Sequence, residues 1–340
     1  MFQRFGFLEF IYASLQLIIT PVFALVWGLR GAFVGFFAAT IASVCIAAPR
    51  VPWRPRWSLR RARQVFGLGL PVSLTNISTT VLQTIDQVLV GFFAGIAALG
   101  TYAFAISLSG FGVHLALIAR NVILTDVYGA ESRGDGGEAA RLVMDRSLVV
   151  FTTLLPPLSG FAALLLSPVI LAFLPQYEAA VVVAQVFVFI GVLQGVVNIS
   201  VMGIVAEGRQ SSVPLISLGA VFLNIILCSF TLFVGLGLQG VAASAFLSRM
   251  VYVAAINAVL AAARPQPSGY GSVAKSLVPT VWCAGAVLAI QTYAPPLVWE
   301  SLAVAFLLYS ISLIPLAVAF RSTVVRYGLL RSSDRFVQRS

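Results

Sequence analysis

Apolar residues arrive in ten successive runs, at 7–27, 31–48, 66–90, 97–118, 148–174, 180–205, 213–236, 238–262, 277–293 and 297–320. Each is about 17 to 27 residues long, enough at about 1.5 Å per residue to cross roughly 30 Å of hydrocarbon. The pattern predicts an all-α, polytopic membrane protein of about ten transmembrane helices. Connections on one side of the membrane shrink to a few residues, near Arg30, Gly95, Gln176, Gly237 and Pro295. Every connection of any size falls on the other side.

The third run departs from the pattern. VSLTNISTTVLQTIDQVLV, residues 72–90, carries Ser73, Thr75, Asn76, Thr79, Thr80, Gln83, Thr84, Asp86 and Gln87. At about 100° per residue all nine fall on one half of the helical wheel, Leu74, Ile77, Val81, Leu82, Ile85, Val88 and Leu89 fill the other, and Ser78 alone breaks the division. A helix with one polar half in a bilayer turns that half away from lipid, because an unpaired amide or hydroxyl in hydrocarbon costs on the order of several kcal/mol. Other runs offer few matching groups: Gln194 and Asn198 one turn apart between Gly191 and Gly195, a face with Ser107, His114 and Asn121, and Asn224. The third span is therefore expected to line water, with Asn76, Thr79, Thr80, Gln83 and Gln87 in the lumen.

Three ionisable residues lie within spans. Asp86, toward the outer end of the third, reads either as a hydrogen-bonded structural carboxylate or as a lumen carboxylate that binds substrate or titrates. Arg249 lies near the middle of the eighth, where an arginine costs roughly 2.5–3.5 kcal/mol on insertion scales, so an anionic partner is required: a carboxylate, backbone carbonyls, or a phosphate gripped by the guanidinium fork. His114 reads as a satisfied buried histidine or a proton-linked site. Pro156 and Pro157 ahead of Gly160 predict a kink, and Pro168, Pro279 and Pro315 also fall within spans.

Composition agrees with the pattern. Of 340 residues 60% are apolar and 9% charged, and the mean hydropathy is +1.00. The net charge of +10 is a matter of topology. With the N-terminus placed in the cytoplasm, all basic residues except Arg30 and the intramembrane Arg249 fall on the cytoplasmic side, a strong positive-inside asymmetry that puts both termini there and leaves no role for nucleic acid. The linker RVPWRPRWSLRRARQ interleaves Trp53 and Trp57 with arginines, as suits a segment on an anionic lipid surface. Cys45, Cys228 and Cys283 all lie in spans, and no disulfide framework, metal site or cofactor site is suggested.

The stretch GLPVSLTNISTTVLQTIDQVLVGFFAGIAALGTYAFAISL resembles the start of a lobe in the polysaccharide flippases of the multidrug/oligosaccharidyl-lipid/polysaccharide exporter superfamily. Gly69 and Pro71 match its Gly-x-Pro opening and Asp86 the acid late in the first helix. Gly91, Gly95 and Gly100 match the turn, and Tyr102 and Ala105 the Gly-x-Tyr-x-x-Ala that follows. PQYEAA at 175, AEGRQ at 206, Asn224 and GLQGVAASA at 237 recur in the family's order. A proline usual after the second helix is absent from NVILTDVYGAE. The resemblance covers 66–262 and implies a MATE-like C-terminal lobe of six helices. It makes 1–48 the last two helices of a preceding lobe, 49–65 the linker, 263–320 two additional spans and 321–340 a basic tail. About four helices of the family's first lobe have no counterpart, so a truncated reading, a fragment or a half-transporter is expected.

The resemblance implies a bacterial inner-membrane flippase that moves polyprenyl-pyrophosphate-linked oligosaccharide, as for O-antigen or lipopolysaccharide. Its partners would be that lipid-linked glycan, anionic lipids and other glycan-assembly membrane proteins. On this reading Arg249 and His114 meet the pyrophosphate or sugar, and the stripe with Asp86, Gln194 and Asn198 lines the path. The rivals are a drug or cation antiporter of the same superfamily using Asp86, and an inert remnant. A glycan polymerase or ligase would need a sizeable outer loop, whereas the outer loops hold only Arg30, Glu178 and Glu300.

Overall fold

The computed structural model describes residues 2–47, 59–110, 136–207, 209, 211–263, 273–293 and 299–326. Among them every element is an α-helix apart from one 3-10 turn, and no strand occurs. The chain divides into two compact units, Met1–Phe66 and Gly67–Ser340.

The first unit contains α1, Phe2–Ala47, which is two helices folded back on each other. The break falls at Trp27 and Gly28, where Gly28 takes φ 60° and ψ −142°, a backbone that a side chain would strain. Close approach of the two halves depends on Gly31, whose place a Cβ could not take without striking the carbonyl of Phe23. The short connection expected near Arg30 is this turn.

Next comes α2 (Leu59–Phe93), which crosses the division after Phe66, and the second unit continues with α3 (Ile96–Ser109), α4 (Gly136–Thr153), α5 (Leu155–Phe173), a 3-10 turn (Pro175–Ala180) and α6 (Val181–Ala206). The chain continues through α7 (Ser212–Phe233), α8 (Gly237–Ala263), α9 (Val273–Tyr293), α10 (Trp299–Ser312) and α11 (Ile314–Arg326). The centre of the unit is α6, packed against α3, α4, α5 and α8. Its sequence is apolar round most of its circumference, as suits a helix packed on several sides, and most of it is buried. Elsewhere large apolar side chains such as Phe92, Ile96, Phe173, Leu215 and Phe233 stand exposed. In water so much uncovered apolar surface would drive association; in hydrocarbon it costs nothing. Six helical stretches among the described residues are long and apolar enough to span a membrane, with two shorter apolar helices beside them. Despite its 35 residues, α2 is not one of the six, because its polar stripe lowers its hydropathy.

Several boundaries differ from the pattern: α4 begins at Gly136 rather than at 148, so part of the expected loop is helical, and α9 at Val273 rather than at 277. The run 148–174 is two helices, α4 and α5, parted at Leu154. Pro156 and Pro157 carry no N–H, so the carbonyls four residues back lose their helical partners and the helix must restart. The run 297–320 likewise parts at Leu313, just ahead of Pro315. Finally, α2 begins at Leu59 rather than at 66, because LRRARQ is made of good helix formers.

The restart after Leu154 is fastened from outside. Tyr309 of α10 donates its hydroxyl to the carbonyl of Pro157 at 3.2 Å and lies near that of Pro156 at 3.5 Å. Its hydroxyl occupies the space a Cβ on Gly160 would fill. Phe161 meets both Phe306 and Tyr309 edge-on, with centroids 5.4 and 4.8 Å apart. Tyr309→Phe is expected to cost about 1 kcal/mol for the lost hydrogen bond. Gly160→Ala, which drives a methyl group into the phenol, should cost about 1–3 kcal/mol. Melting of the detergent-solubilised protein measures both, and two negligible shifts would show that the contact contributes nothing.

The basic residues 50–58 with Trp53 and Trp57, the loop 121–135, the segment 264–272, the tail from 327 and His114 lie outside the described residues.

Candidate functional site

The stripe on α2 splits lengthwise into a buried and an uncovered part. Ser78, Leu82, Asp86 and Val90 follow one another at intervals of four and are all buried, so they form a single ridge into the bundle. Thr75, Thr79, Gln83 and Gln87 flank the ridge half-buried, while Ser73, Asn76, Thr80 and Thr84 are exposed.

The ridge ends in a charged cluster. One carboxylate oxygen of Asp86 accepts the backbone N–H of Gln87 at 3.0 Å and the other accepts the hydroxyl of Tyr102, on α3, also at 3.0 Å. Arg249, on α8, brings a guanidinium nitrogen to 3.8 Å from that second oxygen. This is beyond hydrogen-bond length, so the attraction is between charges. The guanidinium donates instead to the carbonyl of Leu82 at 2.9 Å and to that of Ala245 at 3.1 Å. Phe187 of α6 closes the floor: its ring meets Tyr102 edge-on at 5.5 Å and lies 5.9 Å below the guanidinium carbon. Asp86 and Arg249 are 0% and 3% exposed. Four helices thus converge on one internally neutralised pair, and Arg249 does not reach an open surface.

A further polar layer ties α7 and α8 to the bundle. On α7, Asn224 accepts the hydroxyl of Ser248 at 3.1 Å and the thiol of Cys228 at 3.3 Å. One turn from Arg249, Tyr252 shares a 2.7 Å hydrogen bond with Ser217 and also reaches Thr79 of α2. Ser200 donates to Asn257 at 2.8 Å. Gln194 and Asn198 bond each other along α6 at 3.2 Å and form no bond to the stripe. Of these partners Tyr102 carried a sequence signal, its place in the turn motif, while Ser200, Ser217, Ser248, Tyr252 and Asn257 are ordinary residues that only the packing selects.

The half-buried flank and the uncovered part are chemically distinct from the ridge. Thr79, Thr80 and Thr84 turn their hydroxyl protons back onto the carbonyls of Thr75, Asn76 and Thr80, at 2.8, 2.9 and 3.0 Å. Such bonds satisfy a hydroxyl within its own helix, so these threonines need no lumen water. The carboxamides are different. Asn76, Gln83 and Gln87 make no side-chain hydrogen bond among the described residues, and an amide left unpaired in hydrocarbon costs on the order of several kcal/mol. They are what requires water or a polar ligand along this face. Among the described residues no group of histidine, cysteine and carboxylate side chains could hold a metal.

Neither a curated protein nor a solved structure matches the chain. A sequence model of one family does match: described as polysaccharide biosynthesis protein, it spans residues 2–181, which takes in the hairpin, α2 with its stripe, the Asp86–Tyr102 contact and the helices up to the start of α6. That is just over half the chain, and an all-helical membrane fold with a polar membrane helix fits such a role. The chain is a membrane protein of the polysaccharide biosynthesis family.

Proposed function

We propose that the chain translocates a lipid-linked oligosaccharide, carried on polyprenyl pyrophosphate, across the bacterial cytoplasmic membrane. The observation that carries this reading is the flank of the α2 stripe, where the exposed Asn76 and the half-buried Gln83 and Gln87 have no side-chain hydrogen-bond partner among the described residues. A glycan bearing many hydroxyls cannot cross dry hydrocarbon, at several kcal/mol for each unpaired group, and a strip of hydrogen-bonding groups supplies the replacement for water. The protein then acts as a carrier and not as an enzyme. Binding is strong enough to admit the sugar and weak enough to release it, as neutral hydrogen bonds of about 0.5–1.5 kcal/mol each allow. Arg249 and Asp86 hold the helices around the strip, and the basic cytoplasmic segments meet anionic lipid. A cation antiporter built on Asp86 has less support, because that carboxylate is fully buried and engaged by Tyr102 and Arg249.

Deleting the gene and assaying polyprenyl-linked oligosaccharide in each leaflet tests the reading. Accumulation at the inner leaflet with loss of surface polysaccharide, reversed by complementation, is expected. Unchanged lipid intermediates and an intact surface glycan, with cells newly sensitive to cationic dyes, would sink it in favour of the antiporter.

A further inference from the structure

We propose that the uncovered face of α2 selects an uncharged, hydroxyl-rich glycan segment and discriminates against one that bears carboxylates. The inference rests on the reading of the chain as a glycan carrier and names the chemical class it takes. Two observations carry it.

The first is the direction of the hydroxyl protons. Thr80 and Thr84 are exposed, yet their protons are spent on the carbonyls of Asn76 and Thr80. What they present outward is lone pairs. A neutral sugar approaches with hydroxyl and N-acetyl N–H donors and is complementary to such a surface. A carboxylate is acceptor-only and meets lone pair against lone pair. Asn76, Gln83 and Gln87 can turn either end of their amides, so they add hydrogen bonds without adding charge.

The second is the fate of the charges. The one cation deep within a span of this unit among the described residues is Arg249, which is buried and neutralised by Asp86. Asp145, Arg146, Glu178, Glu207 and Arg209 of this unit lie at the ends of the apolar runs. A uronic acid drawn along α2 would leave water for a face that offers neutral groups and, among the described residues, no free cation to replace its hydration, the costliest kind of transfer for an ion. A neutral hexose incurs no such cost.

The test uses cells deleted for their own oligosaccharide flippase, supplied with the full chain, and making either a neutral lipid-linked oligosaccharide or its counterpart with a uronic acid in place of one hexose. Surface polysaccharide and inner-leaflet intermediate are measured for each. The expected result is export of the neutral glycan and at least about tenfold less of the acidic one, the difference that about 1.4 kcal/mol of lost stabilisation produces. Thr80→Lys, with Asn76→Lys as the second variant should the first be poorly folded, should raise the ratio of acidic to neutral export. Equal export of the two glycans by the wild-type chain would overturn the proposal, as would a ratio that neither lysine moves. Export of neither glycan, at normal protein level, would overturn the carrier reading itself and this proposal with it.

Discussion

Replacing Arg249 by alanine is expected to cost about 3–5 kcal/mol of stability, the largest structural effect of any single change considered for this chain. The mechanism is the orphaned partner. Asp86 is 0% exposed, and once the guanidinium is gone its charge has only the Tyr102 hydroxyl and one backbone N–H to hold it in a dry interior. Breaking one side of a buried pair costs far more than the pair is worth, since the survivor keeps its desolvation penalty. The corollary separates this account from a simple loss of packing. Arg249→Met with Asp86→Asn keeps volume and leaves an acceptor for Tyr102, and the carbonyls of Leu82 and Ala245 still sit within α-helices. The double variant should therefore recover most of the loss, with a coupling of about 2 kcal/mol in the cycle. Thermal unfolding of the detergent-solubilised wild type, Arg249→Met, Asp86→Asn and the double variant closes the cycle, with Arg249→Ala measured beside them. A single-variant cost below about 1 kcal/mol, or a double variant no better than Arg249→Ala, would show that the pair is not what holds α2, α3 and α8 together.

That pair also shows where reading the chain alone stops. Both residues stand out as ionisable groups in apolar runs, and Arg249 at mid-membrane requires an anion. Which anion is not legible, because Asp86 and Arg249 lie on helices far apart in sequence and nothing local records that α2 and α8 meet at α6. Of the partners open to Arg249, a carboxylate, backbone carbonyls or a phosphate, the bundle supplies a carboxylate and two carbonyls. The helical pattern itself is legible wherever the cause is local. Pro156 and Pro157 part α4 from α5, Pro315 sits just past the break at Leu313, and Gly28 turns the first hairpin. The polarity of α2 is equally plain from its wheel. What the wheel does not contain is the cover: a hydroxyl at a given angle looks the same whether a neighbour helix lies over it or not. Ser78 illustrates the point from the other side. It breaks the polar half by sequence, yet it is buried at the start of the ridge and is satisfied by the carbonyl of Leu74 at 2.8 Å.

The threonines allow stability and transport to be separated. Converting Asn76, Thr80 and Thr84 together to leucine should abolish most glycan export, by about tenfold or more, while the protein melts at the same temperature or higher. Thr80 and Thr84 bond only carbonyls of their own helix, and Asn76 has no side-chain partner among the described residues, so their removal breaks no contact between helices. Leucine is the better helix former by a few tenths of a kcal/mol per site, and at exposed positions it fills no occupied space. A structural role for these residues predicts the reverse, a lowered melting temperature. On the proposed carrier reading the loss of export follows because each strip group would contribute only a neutral hydrogen bond to the moving sugar, about 0.5–1.5 kcal/mol, and forfeiting even one such bond at the crossing step would slow it up to about tenfold. The control is Leu74, Ile77 and Val81 on the exposed apolar quarter of the same helix, where exchange among aliphatic residues should leave export untouched. Export that survives the triple change at normal protein level would remove the glycan from this face of α2, whatever the family does elsewhere.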